Sequence, residues 1–185
     1  MKNGKNEVDF FLGANSPNGF HSLYSEVTGP IPGKRLFLIK GTAGSGKSSM
    51  MRRIAGEMAG RETLVERLHC SSDPDSLDGV ILHKAGCTIL DATPPHVVEP
   101  AYPGGYESIV NICGCLDEEL LEERLPDLVA LQTANSAYHQ KCRGLMKCAD
   151  ILLSDNAAFA ESCTNFAKIQ SLAGRIAKKE LKKAT

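Results

Sequence analysis

The chain has 185 residues, of which 42% are hydrophobic and 23% charged, enough apolar content for a packed core and too much for wholesale disorder. A formal net charge of −1 and a pI near 6.5 exclude a general electrostatic draw to nucleic acid. No apolar run approaches the length of a membrane span, and the opening MKNGKNEVDFF lacks the uninterrupted apolar stretch of a secretory signal, so a cytoplasmic protein with no membrane partner is expected.

From the N-terminus, VDFFLGANSPNGFHSLYSEV opens with a short strand and passes into Ser-Pro-Asn-Gly turn chemistry. Strand and helix patterns then alternate from residue 33 to about 115, the signature of a layered α/β sheet. The strand candidates are RLFLIK, TLVERLHC, GVILHK, CTILDA and SIVNIC. RLFLIK is apolar on both faces, as a central parallel strand is. KAGC has turn character, so the third and fourth candidates are expected to form a hairpin. Met51, Ile54, Ala55 and Met58 share one helical face, which predicts a helix from Lys47 to about Gly60 packed on the sheet.

Between that strand and that helix lies GTAGSGKS, Gly41 to Ser48, which matches G-x-x-x-x-G-K-[ST] in the required strand–loop–helix context. Gly41, Gly44 and Gly46 permit backbone shapes that turn successive N–H groups onto an anion. Thr42, Ala43, Ser45 and Ser49 complete the cradle, and the helix start adds unpaired N–H groups and a partial positive charge. Lys47 supplies an ammonium for β- and γ-phosphates, and Ser48 a hydroxyl for Mg²⁺. The second Mg²⁺ acid is expected where an apolar strand stops. Asp91, at the end of CTILDA, stands there, although an ordinary strand-end turn would also place an Asp at that point. No second acid follows it directly, which lowers the expected rate of hydrolysis.

HCSSDPDSLDG offers Asp73 and Asp75, either as holders of an acceptor hydroxyl or as turn and cap residues. His96, in the Pro/Gly-rich stretch DATPPHVVEPAYPGGYE, either senses the γ-phosphate or is a hydrogen-bonded loop histidine. Arg52, Arg53, Arg61 and Arg67 are charge stabilisers without a distinguishing signal. Seven cysteines, at 70, 87, 113, 115, 142, 148 and 163, show no C-x-x-C spacing and read as reduced thiols. Cys113 and Cys115 are half a metal site, or more simply small apolar residues at a strand end.

From Asp117 the pattern changes. Leu128, Leu131, Tyr138, Cys142, Leu145, Ala149 and Leu152 fall at steps of three and four, and Phe159, Cys163, Phe166, Ala173 and Ala177 continue similarly. Two long amphipathic helices are expected, as a hairpin turning near Ser154, Asp155 and Asn156. The basic RIAKKELKK suits a solvated helix end, where cations complement the dipole.

The blocks FFLGANSPNGFHSLY, RLFLIKGTAGSGKSSMMRRIA, HCSSDPDSLDGVIL and ILDATPPHVVEPAYPG together resemble a bacterial P-loop ATPase-like family found mainly in Firmicutes, whose members carry two P-loop domains in tandem. The resemblance covers roughly the first 115 residues. It implies nucleotide and Mg²⁺ roles for Lys47 and Ser48, and the second metal-binding role for Asp91. The family's second P-loop copy has no counterpart here, which implies either a fragment of a tandem protein or a single-domain form that pairs with another copy.

The expectation is therefore an α/β protein with a P-loop NTPase-type, mainly parallel sheet, flanking helices and a C-terminal helical hairpin. The nucleotide-binding domain spans 1–116, and an extension packed on it spans 117–185. It binds ATP and Mg²⁺ and hydrolyses ATP slowly or with a partner, with Asp73, Glu99 and His96 as the candidates for orienting the attacking water. Its catalytic residues are Lys47 and Asp91, its metal ligands Ser48 and Asp91, and its helices are available for self-association. A small-molecule kinase and a non-catalytic nucleotide-dependent interaction module are the alternatives.

Overall fold

The computed structural model describes residues 6–31 and 33–180. Strand β1 (Glu7–Phe11) runs into a small antiparallel hairpin, β2 (Gly13–Ser16) and β3 (Gly19–Ser22). The expected Ser-Pro-Asn-Gly turn closes it, with Ser16 Oγ donating to the Gly19 carbonyl at 2.7 Å. The single turn α1 (Ser25–Thr28) precedes β4 (Arg35–Lys40), the glycine loop and α2 (Lys47–Met58). Four more strands follow: β5 (Val65–His69), β6 (Leu77–Leu82), β7 (Cys87–Asp91) and β8 (Glu107–Asn111). After a 3-10 turn at Cys113–Cys115 come α3 (Glu118–Glu123), α4 (Leu125–Ser162) and α5 (Phe166–Glu180).

Six strands form one sheet in the order β1-β5-β6-β7-β4-β8. β6 is antiparallel to both its neighbours, and every other pairing in the sheet is parallel. The α/β, mostly parallel expectation is met. So is the β6–β7 hairpin, whose turn is fixed by buried Glu62 accepting from the amides of Lys84 (2.6 Å) and Ala85 (3.1 Å).

The sheet has two buried faces. On one, Met51 and Ala55 of α2 pack with Ile39, Val65, Leu77, Val80, Leu82 and Ile89, while Ile54 and Met58 flank them; these are the helical positions read from the 3.6 period. On the other, Tyr24, Leu36, Leu38, Leu68, Leu90 and Ala92 form a second cluster. β4 feeds both, which explains its continuous apolar run.

The helical tail corrects one expectation. α4 passes straight through Ser154, Asp155 and Asn156, and the break comes at residues 163–165. Those three residues are weak helix formers, but neither Gly nor Pro stands there to interrupt a helix whose flanks support it. The stop is made by Asn165, whose Oδ1 accepts from the Lys168 amide at 3.0 Å and caps α5. The chain divides into two compact units, Met1–Arg143 and Gly144–Thr185. The large apolar side chains along α4 and α5, among them Leu131, Leu145, Leu152, Phe159 and Ile176, are exposed.

Candidate functional site

Because β1, β5, β7, β4 and β8 run the same way, their carboxyl ends meet along one edge of the sheet, and the antiparallel β6 brings its first residues to that edge. Ligands of open α/β sheets bind there. The edge collects the glycine loop after β4, the Asp73 segment after β5 and the Asp91–His96 segment after β7.

The loop is built for close backbone approach. Gly46 caps α2 with φ of +92° and Gly44 has φ of +79°, a left-handed backbone that side chains disfavour. A Cβ at Gly41 would stand 2.6 Å from Ile112 Cγ1 and 2.8 Å from Ser45 Oγ. Ser45 Oγ donates to the Thr42 carbonyl at 2.7 Å, closing the loop on itself.

Lys47 is the first residue of α2, and its side chain folds back into the loop. Nζ donates to the carbonyls of Gly41 (2.6 Å) and Thr42 (2.8 Å) and lies 3.6 Å from Asp91 Oδ2. Both charged groups are buried. β4 and β7 pair in parallel with Ile39 opposite Asp91, so the strand register itself delivers Asp91 beneath the loop. Asp91 Oδ1 is held by the Thr93 amide (2.9 Å) and by the Thr93 hydroxyl. Ser48 Oγ accepts from the Leu77 amide at 2.9 Å and from Arg52 at 3.3 Å. Ser48, next to Lys47 in the chain, and Asp91, beside its ammonium, offer hard oxygen donors, the ligand type that Mg²⁺ takes. The first amides of α2 have no intrahelical partner and suit an anion at the same place. Ser49 is exposed, with Thr42, Ala43 and Gly44 on the loop's outer rim.

The other predicted residues are engaged differently. Asp73 serves its own turn, accepting from the Ser76 hydroxyl at 2.6 Å and the Asp75 amide at 3.3 Å. Glu99 pairs with Lys40 at 2.6 Å, and Lys40 also donates to the carbonyls of Ala92 and Val98, which pins the segment after β7. Arg53 pairs with Glu57, and Arg67 with Glu7 and Asp9. Arg61 is exposed. Cys113 is half-buried and Cys115 exposed. Asp75 and Arg52 line a cavity of about 370 Å³ together with Asp9, Arg67, His69 and Leu77. A larger cavity of about 700 Å³ has Gly41, Thr42, Ala43, Thr93, Pro94 and Leu128 among its walls.

His96 is a buried member of a polar cluster. It is 6% exposed, stacked on Tyr24 with centroids 4.9 Å apart and edged by Phe20, with Nε2 3.0 Å from Asp78 Oδ2. Burial pulls its pKa down, but Asp78, through its hydrogen bond and charge, and Cys70 beside it outweigh this and raise it to about 9. Tyr24 is pushed well above its usual range, first by burial and then by Asp78.

Asp78 escapes a sequence reading because a β-bulge aims it. Leu68 pairs with Gly79 but His69 with Leu77, leaving Asp78 as the extra residue of β6. Leu77 keeps to the α2 face while Asp78 turns to Tyr24 and His96 on the other. A comparison with family models, curated proteins and solved structures finds no match for this chain.

Proposed function

We propose that this is a Mg²⁺-dependent ATP-binding protein of the P-loop NTPase type that hydrolyses the γ-phosphate slowly or only with a partner. One observation carries the reading. The Lys47 ammonium is buried in the ring of a glycine loop, 3.6 Å from the Asp91 carboxylate delivered by the neighbouring parallel strand, with the Ser48 hydroxyl next to it in the chain. A bound triphosphate takes the place of the loop carbonyls as the partner of Lys47, while loop amides and the α2 N-terminus face its oxygens. Bound Mg²⁺ neutralises phosphate charge, and Ser48 and Asp91 are the residues that would hold it.

Slow turnover follows from how the nearby groups are used. Buried Ala92, not an acid, follows Asp91. Asp73, Glu99 and His96, the groups considered for orienting water, are committed to a turn, to Lys40 and to Asp78. A second P-loop copy, or self-association through the exposed apolar residues of α4 and α5, would supply the missing group, in line with the tandem arrangement of the family the sequence resembles. A cytoplasmic setting belongs to the same reading. The cavity walled by Arg52, Asp75 and Leu77, the first and last of which bond Ser48 Oγ, favours a second reading, transfer of the phosphoryl group to a small acceptor.

Phosphate release from Mg·ATP, measured beside a Lys47→Ala control, tests the proposal. Slow release that vanishes in the control is expected without an acceptor. Release that is unchanged in the control would refute a role for this loop, and transfer to an added small acceptor would favour the kinase.

A further inference from the structure

Three segments of the sheet edge converge on the face opposite α2. Cys70 follows β5 and is tied down by its amide donating to the Ser76 carbonyl at 3.0 Å. Asp78 is the bulge residue of β6, and His96 sits in the segment that Lys40 pins after β7. One Cys sulfur, one Asp oxygen and one His nitrogen from these residues all lie within 4.8 Å of one another, with Asp78 and His96 buried. Among the described residues, His96 Nδ1 is one of two buried side-chain atoms without a hydrogen-bond partner, while the other ring nitrogen, Nε2, faces Asp78. Buried polar atoms are seldom left unpaired, and a missing ion is one cause.

We propose that Cys70, Asp78 and His96 form a transition-metal site, with Zn²⁺ as the ion that suits it, separate from the Mg²⁺-nucleotide position. A thiolate, an imidazole and a carboxylate are the donor types that Zn²⁺ takes, and a soft thiolate selects against Mg²⁺. Tetrahedral Zn²⁺ bonds of about 2.0–2.3 Å separate ligand atoms by about 3.3–3.6 Å, so no pair of the three groups needs to close by more than about 1.5 Å. Cys70 binds as the thiolate and His96 as the neutral imidazole, and each gives its proton to solvent. Three protein ligands leave a fourth position for water. The ion would lock the segment carrying His96 onto β5 and β6, directly after Asp91, and so hold the nucleotide-side acid in place from the opposite face.

The test uses the chain stripped of metal by chelator, without nucleotide, so that its outcome is independent of the nucleotide reading. Zn²⁺ or Co²⁺ is added, the protein is desalted, and bound metal is counted by emission spectrometry. One equivalent per chain is expected, weakened at least about tenfold in Cys70→Ser and in His96→Gln and retained in Cys115→Ser. The Co²⁺ form should show a thiolate-to-cobalt charge-transfer band that Cys70→Ser removes. Should either variant fail to fold, alkylation mapping of the unaltered chain decides: Zn²⁺ should protect Cys70 while leaving Cys115 reactive. Failure to take up one equivalent, uptake undiminished in folded Cys70→Ser, or alkylation of Cys70 at the same rate with and without Zn²⁺ would each overturn the proposal.

Discussion

Replacing Lys47 with Met keeps the volume and helix propensity of the side chain but removes its charge. Nζ and Asp91 Oδ2 are 3.6 Å apart, with side chains only 10% and 12% exposed. At an effective dielectric of about 20, that separation corresponds to an attraction of about 4–5 kcal/mol, before the cost of desolvating both groups. Lys47→Met leaves a buried carboxylate whose remaining partners are the Thr93 amide and hydroxyl, so a stability loss of about 2–3 kcal/mol is expected. Asp91→Asn leaves the ammonium with the carbonyls of Gly41 and Thr42 and should cost less. In the double variant neither charge is stranded, so the two losses should not add. A double-mutant cycle by urea unfolding, followed by circular dichroism, should yield a coupling of about 2 kcal/mol. A coupling below about 0.5 kcal/mol, within the scatter of independent sites, would refute the pairing of these charges in solution.

Ser48→Ala leaves the Leu77 amide without its acceptor, so a loss of about 1 kcal/mol in stability is expected, together with a weaker Mg²⁺ dependence of ATP binding; an unchanged Mg²⁺ dependence would remove Ser48 from the metal. Met51→Ala empties a fully buried position between α2 and the sheet and should cost about 2–5 kcal/mol by thermal or urea unfolding, whereas a loss under about 1 kcal/mol would contradict the packing of α2. Burial raises the pKa of Cys87, with Arg35 opposing and Glu62 assisting, so less of it is thiolate at pH 8. Iodoacetamide should therefore modify it more slowly than the exposed Cys115; equal rates in peptide mapping would contradict that environment.

The parts of the site that the sequence made legible are those set by local rules. The apolar run of β4, the glycines after it and the 3.6 spacing of Met51, Ile54, Ala55 and Met58 each encode their own geometry. Asp91 could be placed because an apolar strand simply ends there. What stayed hidden depends on pairing between distant segments. The bulge that turns Asp78 away from α2 exists only in the register of β5 against β6. His96 is buried by Tyr24 and Phe20, some 70 residues earlier in the chain, and nothing near His96 announces it. In the tail, local cap chemistry misled. Ser154, Asp155 and Asn156 read as a turn, yet Asn165 makes the stop because its side chain bonds the third amide of the next helix.

The loop around Lys47 is proposed above as a triphosphate cradle. Isothermal titration of ATP with Mg²⁺ into the unaltered chain and into folded Lys47→Met tests this most directly. One site per chain is predicted, loosened about 10- to 100-fold in the variant, as expected for a lost charge-assisted hydrogen bond. No binding at millimolar ATP, or the same affinity in both proteins, would contradict it.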